Sequence, residues 1–307
     1  MLIPLAAFGR SYYHPSRAKS AEPDNYHFGY ISVSGGYSSL SQTVKNVHTT
    51  GDFSYLIGLG YEFRINSFWL SVGAQYMQEK SKTNVDEFKY RPQFKGLDDQ
   101  EKAVNYYEYK IRQTDRQTWK TIDIPIMLGY YNSGFYVGAG AKVGFSLGST
   151  ISTEGGYDLS AQYDRYIGEF VDVNYYTHYN VPEQQWDLKL RPQFSLIGEV
   201  GYDVLSPVMT NKAICHVLKV GFYFEYGLRT ALPKNSMDPI AIQGKSVVEA
   251  AKTGADVRKA SLNPFYLSSS TSDKWVVPYY VGLKLTYMFG GSRHNTGTWH
   301  KGCQCYQ

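Results

Sequence analysis

Ten ionisable residues fall at alternate positions of segments that are otherwise largely apolar: Glu62, Arg64, Asp123, Lys142, Arg191, Glu199, Lys219, Glu225, Arg229 and Lys284. Acids and bases are mixed, so in a confined space they would neutralise one another. Left unpaired in a low-dielectric interior, each would be costly. Such a set can lock into an ion-pair and tyrosine plug, line a narrow pore or relay protons. The packed network is the expected use.

A second set, His48, Asp158, Ser160, Asp164, Asp172 and His178, lies in polar stretches. These are the residue types of Ser/His/Asp or Asp/His catalysis. No nucleophile motif with diagnostic spacing accompanies them, and a tyrosine-rich polar loop supplies such residues anyway. The chain is expected not to be an enzyme. The carboxy-terminal stretch offers His294, His300, Cys303 and Cys305. Imidazole and thiolate are zinc and copper ligands, but C-x-C without a second cysteine pair is a weak signal, and no metal is expected. Cys215 with Cys303 or Cys305 could form a disulfide in an oxidising compartment, leaving one thiol over. Disulfide, metal site and unstructured tail stay open. The two G-x-G triplets, at 58–60 and 138–140, sit inside alternating segments with no helix after them. They fail the context test for dinucleotide binding, and no cofactor is expected.

The elements that must position the first set are strands. In 53–65, Phe53, Tyr55, Ile57, Leu59, Tyr61, Phe63 and Ile65 share one face, while Ser54, Leu56, Gly58, Gly60, Glu62 and Arg64 share the other. Period-two alternation marks a strand. A soluble sheet sets an apolar face on a core and a polar face in water. Here glycine, serine and charge suit a crowded polar interior, and the aromatic and aliphatic face suits lipid. The pattern recurs in 68–77, 121–130, 135–147, 190–202, 218–229 and 277–289, with a weaker copy in 28–37. Eight strands result, each long enough for the ~9–11 residues that a tilted strand needs to cross hydrocarbon. The fold expected is all-β: an eight-stranded antiparallel transmembrane β-barrel with short periplasmic turns and long extracellular loops. A soluble lipocalin-like barrel, with the apolar faces lining a cavity, is the rival.

Composition agrees. Tyrosine and glycine each number 29 and only 19% of residues are charged. Tyrosine and tryptophan favour the membrane–water boundary. A mean hydropathy of −0.38 argues against a helical membrane protein. The net charge of +4 is too small and dispersed for nucleic acid, which is not expected as a partner. Tight turn sequences at 65–67 and 132–134 alternate with long polar segments. The barrel is expected over 27–290, with loops near 38–51, 81–117, 148–185 and 231–274 on one side. Residues 245–260 have helical spacing. Residues 1–26 are read as a residual signal or periplasmic segment, since M-L-I-P-L-A-A-F-G is like the end of an export signal's apolar region. Residues 291–307 are read as a periplasmic tail.

T-I-D-I-P-I-M-L-G-Y-Y at 121–131, a short turn, then F-Y-V-G-A-G-A-K-V-G-F-S-L at 135–147 resembles the PorT-like outer-membrane β-barrel family of Bacteroidota. The likeness is best over this hairpin and diffuse elsewhere. It implies the barrel fold and a cell outer-membrane location, and little about activity; the family's namesake serves a protein-secretion system. The expected function is a surface-exposed structural or binding protein whose tyrosine-rich loops contact an external protein or glycan. Outer-membrane lipid or lipopolysaccharide and, during insertion, the barrel-assembly machinery are the other expected partners. An accessory subunit of a secretion or envelope-assembly complex is the main alternative, ahead of a narrow channel or a rim-located hydrolase.

Overall fold

The computed structural model describes residues 25–42, 47–65, 67–92, 96–97, 103–132, 134–163, 171–172, 178–205, 215–229, 232, 238–243, 245–252, 260–264 and 276–293. The long strands are β1 (Asn25–Gln42), β2 (Val47–Ile65), β3 (Phe68–Tyr90), β4 (Ala103–Asn132), β5 (Phe135–Ser146), β6 (Ser149–Tyr163), β7 (His178–Leu188), β8 (Gln193–Leu205), β9 (Cys215–Gly227) and β10 (Val276–Arg293). β1 to β5 and β8 to β10 pair antiparallel around a ring. Pairing of β1 with β10, from Asn25↔Arg293 to Gln42↔Val276, closes it.

Which face turns inward is settled by exposure. Phe68 is 66% exposed and Leu59 and Leu128 are each 64% exposed, whereas Lys142 is 3% and Asp123 0%. Apolar side chains therefore clothe the outside and ionisable ones fill the inside, the reverse of a lipocalin-like arrangement. Gly134, at φ +87°, closes the β4–β5 turn in the left-handed region that favours glycine. Among the described residues no helix is long and apolar enough to cross a membrane, a criterion that does not bear on strands.

At one end of the ring the connections at 66–67, 133–134 and 206–214 are short, and both ends of the ring's chain path lie there. At the other end the segments expected as loops near 38–51, 81–117 and 148–185 are largely strand. β1 runs to Gln42 and β2 starts at Val47, while β4 alone spans 30 residues. Above the ring β4 leaves β5 and pairs with β6, which pairs with β7. Alternation continues through these extensions with polar residues on the outer side (Lys82, Arg112, Arg116), so a search for apolar faces passes over them. In the 231–274 segment, Ile240–Ile242 pairs with Lys245–Ser246 and Ser261–Leu262 as a small sheet. The helix expected over 245–260 is confined to α1 (Val247–Lys252); residues 253–259 lie outside the described residues.

The interior is layered along the barrel axis. Phe28, Tyr30, Val217 and Met288 close the short-turn end. Leu56, Trp69, Met77, Met127, Tyr136, Ile197, Tyr223 and Tyr280 pack among the charged groups of the middle. Leu40, Trp119, Ile151, Leu188, Leu232 and Val276 form the next layer. Tyr107, Tyr109, Ile111, Tyr157, Leu159 and Ala161 line the rim and are covered by Ile240, Ile242, Ala250 and Leu262. The described residues of 238–264 thus cap the rim.

Candidate functional site: a charged interior beneath a capped rim

β2 carries Glu62 and Arg64 inward on successive inner-face positions, and Arg64 Nε donates to Glu62 Oε1 at 2.6 Å. Lys219 of β9 reaches across the barrel and donates to both Glu62 oxygens at 2.9 Å. The Lys219 ammonium also lies over the rings of Trp69 and Tyr136, 5.1 and 4.8 Å from their centroids. The Arg64 guanidinium sits over Phe28 and Tyr131. Lys284 donates to Glu199 Oε2 at 2.7 Å, and the Tyr136 hydroxyl donates to Glu199 Oε1 at 2.8 Å.

Nearer the rim, Lys142 Nζ is 2.6 Å from both Asp123 Oδ2 and Glu225 Oε2. The Asp123 contact is a well-aligned hydrogen bond. The Glu225 contact is an ion pair of the same length. Gln75 Nε2 donates to Asp123 Oδ2 at 3.3 Å. A buried pair holds only when both charges are matched and otherwise hydrogen-bonded, and here one ammonium serves two carboxylates, so the match is partial.

Eight of the ten ionisable residues expected to face inward are thus buried together. The other two are not. Arg229 is exposed, and Arg191 is half-buried between β7 and β8. β8 begins at Gln193 and β9 ends at Gly227, so at Arg191 and Arg229 the chain is off the sheet and no longer obeys the period. The opposite error hides Glu79, Asp115 and Asp203. Each continues a period-two inner face a step or more beyond the apolar run that revealed it. Glu79 is 5% and Asp115 0% exposed. Glu79 Oε1 has no hydrogen-bond partner among the described residues. Asp203 Oδ2 lies 3.9 Å from Arg64 Nη1.

Glycine makes room for the aromatic members. The Trp69 indole lies across Gly129 and Gly138, where an added Cβ would stand 2.2 and 2.3 Å from its ring atoms.

The rim holds the second residue set. Asp158 Oδ1 is 2.7 Å from His178 Nδ1, and Arg112 Nη2 is 2.7 Å from Asp158 Oδ2. The other His178 nitrogen meets Asn180 Oδ1 at 3.0 Å, not a serine. His48 faces Asp86 at 3.3 Å on the exposed outer side of β2 and β3. Ser160 is buried on β6. Asp164, the side chain of Asp172, Cys303, Cys305 and the side chain of Cys215 lie outside the described residues, as do the tail at 294–307 and residues 1–24. Among the described residues no cluster of three or more His, Cys, Asp or Glu could hold a metal ion. The cap is latched by polar bonds: Gln113 Nε2 donates to the Asn263 carbonyl at 3.0 Å, and the Ala260 amide donates to the Tyr157 hydroxyl at 3.1 Å. Burial, and then the Asp238 carboxylate to which it is hydrogen-bonded, push the Tyr90 phenol well above its ordinary 10.0.

No family model matches the sequence, the PorT-like one included, and no curated protein is similar to it. Among solved structures, Neisserial surface protein A is similar with a TM-score of 0.30 at 8% identity, over 84% of this chain and 95% of that one. At that score and identity the likeness informs neither the fold nor the function of this chain.

Proposed function

We propose that the chain is an eight-stranded transmembrane β-barrel of a Gram-negative outer membrane and a non-enzymatic surface protein. Its capped rim is the contact surface for an external protein or glycan. The observation that carries this reading is the outward apolar coat running around the whole ring, with Phe68, Leu59 and Leu128 about two-thirds exposed. Water does not tolerate a continuous apolar band of that extent, whereas hydrocarbon does. Short turns at one end and a tall strand-built rim at the other support a periplasmic short-turn end. The outer apolar run of β10 closes on Tyr287 and Phe289, which suits recognition by barrel-assembly machinery.

The filled interior speaks against a channel. The Asp158–His178 pair, ending on Asn180, supports the non-enzymatic reading over a rim hydrolase. No side chain in the described residues favours the accessory-subunit alternative or PorT-like membership over a free-standing barrel. The test is fractionation of cells followed by surface proteolysis. The protein should stay with outer membranes after an alkaline wash, and protease added to intact cells should cut only the rim at 81–117, 148–185 or 231–274. Recovery in the soluble fraction would end the proposal.

A further inference from the structure

The outer faces of β3 and β4 change character abruptly. Up to the rung where Tyr76 pairs with Ile122 they are apolar; above it come Gln78↔Lys120, Lys80↔Thr118 and Lys82↔Arg116. Four cations therefore occupy three successive rungs on one side of the sheet, directly above the apolar coat. Lys82 and Arg116 are directly opposed. Like charges so placed, about 5 Å apart at Cβ, repel and destabilise the pair.

Counter-charge from the protein is meagre. Arg116 is paired with Glu154 at 2.7 Å and lies 4.0 Å from Glu183. Lys80, Lys82 and Lys120 pair with no carboxylate among the described residues. Asp52 lies on the bulged part of β2 and caps the Phe53 amide instead. Asp187 stands beyond Thr150, two strands from Thr118.

Height decides what anion fits. A strand rises ~3.4 Å per residue and tilts about 40°, so Lys120, Lys80 and the Lys82–Arg116 rung stand roughly 5, 10 and 16 Å above the last apolar rung. Lys120 is at the depth of lipid headgroups, and the long side chains of the upper three can bend down toward that layer. Resting on the membrane reading above, we propose that Lys80, Lys82, Arg116 and Lys120 bind the phosphate groups of a phosphorylated glycolipid of the outer leaflet. The ammonium groups act as point charges, and Arg116 adds a planar fork that suits phosphate oxygens once Glu154 shares it.

The test uses the detergent-purified full chain and native mass spectrometry with lipid A and with the same glycolipid stripped of phosphate. Wild type should retain lipid A and lose it on dephosphorylation. Lys80→Gln/Lys82→Gln/Lys120→Gln should bind lipid A about 100-fold more weakly, at about fivefold per lysine near a charged surface. A control that removes equal charge elsewhere, Lys89→Gln/Lys110→Gln/Lys189→Gln, should bind as wild type. Equal binding by the first variant, equal loss in the control, or indifference to phosphate would each overturn the assignment. Should the triple variant fail to fold, Lys120→Gln alone decides, with a fivefold loss expected and no change sinking the idea. Membrane fractionation of the same variants separates the two claims: a membrane-bound protein with unchanged lipid A affinity refutes only the headgroup site.

Discussion

Lys142 illustrates what a single buried charge does here. It stands between Asp123 and Glu225 at 2.6 Å from each, with both carboxylates shut off from solvent. Lys142→Met would leave two acids facing one another without a cation. We expect a loss of about 3–5 kcal/mol, the usual cost of removing one partner from a buried pair. Adding Asp123→Asn and Glu225→Gln should recover most of it, because the uncompensated charge is then gone. Urea unfolding in lipid vesicles measures both; a single variant as stable as wild type would show that the cluster is not a charge-matched plug. That Lys142, Asp123 and Glu225 face inward was legible, since each sits at an alternate position among apolar neighbours. That Lys142 and Asp123 meet follows from their shared hairpin, whereas the arrival of Glu225 was not legible, because its strand is distant in sequence.

At the scale of elements, the rim and its cap behave as a unit. Tyr157, Leu159 and Tyr109 offer an apolar surface that the 238–264 segment covers, and Tyr90 meets Asp238 at its margin. The Tyr90 phenol has its pKa raised by attachment of the cap. A group raised in the attached state contributes nothing to pH dependence while both states keep the proton. Above the ordinary 10.0, the released phenol ionises first and attachment weakens as pH rises further. Protease susceptibility of 238–264 should thus be flat from neutral pH to about 9 and climb beyond 10. Tyr90→Phe should flatten that rise. An equal rise in Tyr90→Phe would place the sensitivity elsewhere. The tyrosine-rich polar segments at 105–116 and 174–180 point to strands extended beyond the ring as a twisted rim, but their ends and pairing were not legible, because their outer side carries Lys82, Arg112 and Arg116 where the ring strands carry aliphatic residues.

The whole molecule is a closed wall around a solid centre. Trp69, Met77, Tyr223 and Tyr280 fill the space between the ion pairs, and the cavity beside Glu79 and Trp119 measures about 10 Å³, near the room for one water. An eight-stranded ring leaves space for side chains and little else. Planar-bilayer recordings at high salt should therefore show no discrete openings. Reproducible unitary currents from wild type would mean that the interior moves aside. From the order of residues alone one could read strands, their inner and outer faces and the side on which the connections are short, because alternation and turn chemistry are local. Register came only with the folded chain: Lys219 meets Glu62 across 157 residues. So did the pairing of β4 with β6 above the ring and the capping of the rim. Those depend on which distant strands lie side by side, and no short-range pattern of side chains encodes that choice.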